Sequence, residues 1–156
     1  MKIIKGNLIT LAQSGAFDVI SHGCNCFCQM GAGIAPQMAK AFGADKFHME
    51  NPLQRGVYNK LGQIDFEMRT EGGKDLAVVN SYSQYGFGRN HTNGSDTPLD
   101  YIALEMCMQK INHYFKGKHV GLPWIGCGLA GGDKERVKDI LARTLTDVEL
   151  TIVELH

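Results

Sequence analysis

Two short glycine-rich stretches, Gly31-Ala32-Gly33 and Gly126-Cys127-Gly128-Leu129-Ala130-Gly131-Gly132, are the segments of this sequence best suited to chemistry. Each falls between a predicted strand and the amino end of a predicted helix, where unpaired backbone N–H groups and the helix dipole favour an anion. Glycine also lets the main chain approach a ligand that a side chain would hold away. One such loop alone is explained as well by a tight turn, but the pair points to anion binding. The expectation is a diphosphate between them, facing Gly31, Ala32, Gly33 and Ile34 on one side and Gly126, Cys127, Gly128, Leu129 and Ala130 on the other. Neither loop is a Walker sequence, and Gly31-x-Gly33 lacks the third glycine of the dinucleotide fingerprint.

Among side chains, His22 stands three residues before Asn25, at the expected carboxyl end of a strand. An imidazole, with an ordinary pKa of about 6.5, can serve as general acid or base or accept a phosphoryl group without a metal. The competing reading is a buried histidine bonded to the backbone at the strand end. Cys24, Cys26 and Cys28 are one residue apart, unlike the Cys-x-x-Cys knuckles of zinc sites, so no metal is expected. They read as small packing groups on a common side, with Cys107 facing the core from a helix. Cys127, at a helix end, is a reactive thiol only if that end lowers its pKa, and its N–H is the expected contribution.

These residues need a scaffold. The chain has 156 residues, of which 44% are hydrophobic, enough for one domain spanning 1–156 with a substantial core. Sixteen basic residues balance sixteen acidic ones, which gives no basis for general nucleic-acid binding. No run of about 18 apolar residues suggests a membrane segment, and the odd count of five cysteines, three of them alternating at 24, 26 and 28, suits a reducing, cytoplasmic setting. Strands are expected at 2–6, 17–22, 64–69, 76–82, 120–125 and 150–155, and helices at about 7–15, 34–42, 101–115 and from Asp133 onward. Gly72-Gly73-Lys74-Asp75 reads as a hairpin turn, and the polar stretch 85–97 as a mobile loop. Strands alternating with helices imply an α/β fold, and the central hairpin makes its sheet mixed.

Lys5-Gly6-Asn7-Leu8-Ile9, Ser21-His22-Gly23-Cys24-Asn25-Cys26 with Met30-Gly31-Ala32-Gly33-Ile34-Ala35, and Pro123-Trp124-Ile125-Gly126-Cys127-Gly128-Leu129 together resemble the macrodomain family in order and spacing. The likeness runs from the first strand to the last and is most specific from His22 to Ala35. It implies a three-layer α/β/α sandwich that binds ADP-ribose or its derivatives and needs no cofactor. Lys5-Gly6-Asn7 and His22-Gly23-Cys24-Asn25-Cys26 are similar to the ADP-ribose 1''-phosphate phosphatases. The Met-Gly-Ala-Gly-Ile-Ala and Ile-Gly-Cys-Gly-Leu runs are similar to the terminal ADP-ribose protein glycohydrolases.

Carried over by position, the resemblance implies that Asn7 and Leu8 face the adenine and that Asn25 lies beside the distal ribose. Asn7 stands where most members have an aspartate, so a charge-assisted contact becomes a neutral one. Tyr82, Ser83, Gln84, Tyr85 and Phe87 are offered for the adenosine end. His22 matches the phosphatase-type histidine, which makes phosphate removal from ADP-ribose 1''-phosphate the first expectation. A hydrolase that removes ADP-ribose from macromolecules is the second, with Lys40 matching its lysine and Asp133 the carboxylate nearest its aspartate. Ala130 occupies the aspartate's own position, Asp133 also suits a helix N-cap, and Lys40 suits a solvated helix face. A non-catalytic ADP-ribose reader is the third.

Overall fold

The computed structural model describes residues 1–47, 55–87 and 97–155. Its strands are β1 (Lys2–Lys5), β2 (Val19–Asn25), β3 (Ile64–Glu71), β4 (Lys74–Gln84), β5 (His119–Leu122) and β6 (Glu149–Glu154). Its helices are α1 (Leu8–Gln13), α2 (Ala35–Phe42), α3 (Tyr101–Tyr114) and α4 (Lys134–Thr144). The strands form one sheet in the order β1-β6-β5-β2-β4-β3. All neighbours are parallel except β3, which pairs antiparallel with β4 at one edge.

Alternation along the strands divides the core into two layers. Val19, Val79, Val120 and Ile152 pack under Leu104, Met108, Val137 and Leu141 of α3 and α4. Ile20, Val78 and Val153 pack under Ile9, Ala12, Met38 and Phe42 of α1 and α2. Helices therefore cover both faces, as the buried strands of a parallel sheet require, and the sandwich has three layers.

Local signals explain the element ends. Asn7 caps α1 by accepting from Thr10 N at 3.0 Å, and Gly43 closes α2 at φ 67°. The hairpin turn is only Gly72-Gly73, at φ 59° and 75°, since Glu71 pairs with Lys74; two left-handed residues match the twist of the flanking strands. Cys24, Cys26 and Cys28 are buried in one cluster with Tyr82, and Cys107 faces the core from α3. Most of the expected polar loop, residues 88–96, lies outside the described residues.

β2 departs from expectation. It continues through Gly23 and Cys24 to Asn25, because these residues pair with Ser81, Tyr82 and Gln84 of β4, with a register shift before Asn25. Gly23, just past the expected strand end, is a strand residue in a tight place. A Cβ at Gly23 would stand 2.8 Å from Ser83 Oγ and 2.9 Å from Ile125.

Candidate functional site

The carboxyl ends of all five parallel strands open into one cleft of about 910 Å³. In open α/β sheets this is the side on which ligands bind. Asn7 and Leu8 follow β1, Glu154 and Leu155 end β6, Pro123 and Trp124 follow β5, Gly23, Cys24 and Asn25 end β2, and Gln84 ends β4. Residues 31–34 and 126, 128, 129 and 130 line the same cavity, so both glycine loops face one space.

Backbone N–H groups of residues 31–34, 126 and 128–130 find no acceptor among the described residues. The helix ends behind the loops differ. α2 has Ile34 at its N-cap with no side-chain cap, and Pro36 carries no N–H, so the first-turn amides of Ala35 and Gln37, two residues that line the cleft, are without a partner among the described residues. α4 is capped by Asp133, which accepts from Glu135 N at 3.0 Å, so the second loop offers its own amides rather than a helix end. Cys127 departs from its expected place. Its N–H donates to Trp124 O, its Sγ to Ile125 O, and it does not line the cleft. Burial raises its thiol pKa, so this helix end does not activate it.

Side chains expected at the reaction centre lie elsewhere. His22 is fully buried inside β2 rather than at its end, on the face covered by α1 and α2. Its Nε2 pairs with Asn80 Oδ1 at 2.7 Å, and Asn80 Nδ2 donates onward to Asp65 Oδ1 and Ala44 O. Burial pushes the imidazole pKa down to about 4, against the Asn80 bond, which raises it. The pairing continues three residues past the expected boundary, so residue 22 stays inside the strand with its side chain in the core, while Gly23, Cys24 and Asn25 at the strand end reach the cleft. Lys40 is on the exposed face of α2 and Asp133 is committed to its cap; neither lines the cavity.

Asn25 does line it, but its amide builds the turn. Oδ1 accepts from Phe27 N and Gln29 N, and Nδ2 donates to Gln29 O. Three residues on, buried Cys28 takes a left-handed backbone at φ 54°, a strained conformation of the kind that collects at functional sites. Gln84 and Phe87 line the cleft, whereas Tyr82 and Ser83 are buried beside it and Tyr85 bonds Gly56 O. Because β4 and β1 lie toward opposite edges of the sheet, Gln84 and Phe87 face the end away from Asn7 rather than the expected adenosine end.

Three further lining residues form a unit that the sequence reading missed. Trp124 Nε1 donates to Glu154 Oε1 at 2.7 Å, and Lys134 Nζ reaches the same oxygen at 3.1 Å. Trp124 is the chain's sole tryptophan and falls in the strand expected at 120–125, and nothing in the spacing connects it with positions 134 and 154. Among the described residues no group of three His, Cys, Asp or Glu side chains could hold a metal ion. No helix among them is long and apolar enough to cross a membrane.

No family model matches this sequence. It is 32% identical to an uncharacterized 17.5 kDa protein of Enterobacteria phage T4, over 99% of this chain and 96% of that one. The macrodomain of Mycobacterium tuberculosis DarG superposes with a TM-score of 0.69 at 20% identity, covering 98% of each chain. DarTG of Thermosipho africanus, solved in complex with ADP-ribose, gives a TM-score of 0.70 at 15% identity over all of this chain and 42% of that one.

Proposed function

The chain belongs to one family with the phage T4 protein and has the macrodomain fold, and from that premise we propose that the cleft is an ADP-ribose site. The observation that carries the reading is the convergence of unpaired N–H groups from two loops on one cavity long enough to join the ends of five strands. Such donors suit a diphosphate, whose oxygens stay charged throughout. The likeness to a protein solved with ADP-ribose supports the same ligand.

A second reading adds hydrolysis of ADP-ribose 1''-phosphate. It is favoured by the open amino end of α2 beside Asn25 and Gln29, a place where preorganised donors would stabilise a transferring phosphoryl group. With His22, Lys40 and Asp133 away from the cavity, the nucleophile in this reading is water. Removal of ADP-ribose from protein or nucleic acid by Lys40 with Asp133 is the less favoured reading, since neither residue lines the cleft and Asp133 caps α4.

Calorimetry with ADP-ribose, followed by incubation with ADP-ribose 1''-phosphate and with protein modified on acidic residues, separates these readings. The expected results are ADP-ribose binding, and phosphate release that survives His22→Ala. Binding without turnover of either substrate leaves a reader of ADP-ribose, and no binding removes the proposal.

A further inference from the structure

At the β1 end of the cleft, Trp124, Lys134 and Glu154 hold one another in place. The ammonium of Lys134 lies 4.9 Å from the centre of the indole ring, and both side chains donate to Glu154 Oε1. The Trp124 bond first and the Lys134 bond second keep the carboxyl pKa below its ordinary value, so the group is ionised at neutral pH. Its other oxygen, Oε2, has no partner among the described residues. Leu8 and Val153, both buried, and Leu155 supply apolar wall at this end. Asn7, which the sequence offers as the acceptor here, has its Oδ1 committed to Thr10 N, which leaves its amide nitrogen as a donor.

We propose that Glu154 determines base specificity in this cleft, its free Oε2 accepting one N–H from the exocyclic amine of an adenine-type base. The inference rests on the ADP-ribose reading and names the group that would select its base. An apolar slot ending in one anionic acceptor favours a flat heteroaromatic ring with an N–H donor and repels a carbonyl at that position. Because two donors already occupy Oε1, a single oxygen remains. That suits the lone amine of adenine better than the adjacent N–H donors of guanine, which a carboxylate meets with both oxygens.

The test is calorimetry of the full chain and its Glu154→Gln variant with ADP-ribose and with the inosine analogue, in which a carbonyl replaces the amine. The native protein is expected to prefer ADP-ribose by about tenfold or more. The variant should bind ADP-ribose about tenfold more weakly and lose the preference, because Trp124 and Lys134 hold the amide oxygen and leave its NH2, a donor, facing the base. Thermal melting of both proteins reports folding. An unchanged preference in a folded variant overturns the inference and leaves the ADP-ribose site standing, as does a native protein that binds both ligands equally. If the native protein binds neither, the ADP-ribose reading falls, and the same comparison with AMP and IMP decides the role of Glu154. A preference for AMP that Glu154→Gln abolishes upholds that role, and any other result ends it.

Discussion

In the loop after β2, a Cβ added at Gly31 or Gly33 would meet nothing within 4 Å. In the loop after β5, one at Gly126 would lie 2.6 Å from Leu99, and one at Gly132 would lie 2.5 Å from Leu99 and 2.6 Å from the main-chain oxygen of Gly126. The two loops look alike as sequence, yet most glycines of the second are required by the protein's own packing, while those of the first leave open space beside the cleft. Gly128 is the exception in the second loop, with nothing near its added Cβ. The helices behind them follow the same division, α4 closed by Asp133 and α2 uncapped. Glycine content alone therefore does not mark a binding loop, and neither does open space, since Gly73 of the hairpin turn is just as open; what sets Gly31, Gly33 and Gly128 apart is that their open space faces the cleft.

Substitutions can break this contrast. Gly132→Val should have the largest effect, a loss of about 3 kcal/mol or more in chemical denaturation, since a backbone oxygen cannot move aside as a side chain can. A melting temperature near that of the native protein would show that the second loop is not packed as described.

Acid probes the strand that feeds the first loop. His22 is buried neutral, and its folded pKa of about 4 lies below the ordinary value of 6.5. The unfolded chain therefore binds the proton first as pH falls. The stability associated with a neutral His22 is fully present above about pH 6.5 and is lost on the way down to about pH 4, a drop on the order of 3 kcal/mol. Urea titrations at pH 7 and 4.5 should show most of this loss in the native protein and much less in His22→Asn.

Smaller effects sharpen the comparison. Gly33 has φ 65°, so Gly33→Ala should cost about 1–2 kcal/mol through backbone strain alone. Gly128→Val, which meets no protein atom, should change stability by no more than about 0.5 kcal/mol. It should nevertheless weaken ADP-ribose binding by at least about tenfold, because the branched side chain would enter the ligand's space. Unchanged affinity in Gly128→Val and Gly33→Val would remove both loops from the site.

The sheet, its antiparallel hairpin and the two helical layers were legible because each depends on local signals. These include the alternation Ile64-Asp65-Phe66-Glu67-Met68, the glycine pair at 72–73 and the capping residue Asp133. His22 shows what such signals do not carry. Whether residue 22 or residue 23 faces the cleft depends on where β2 stops pairing, and that is set by β4, some sixty positions away. Glu154 was hidden for a related reason, since its partners Trp124 and Lys134 come from other elements and meet it only in the folded sheet.

The central claim is that two loops distant in sequence hold one ligand, and amide NMR during an ADP-ribose titration tests it most directly. The account predicts that the backbone signals of residues 31–34 and of 126 and 128–130 shift together along one saturation curve, while that of Lys40 stays in place. Shifts confined to one loop, or curves with different midpoints for the two, would contradict it.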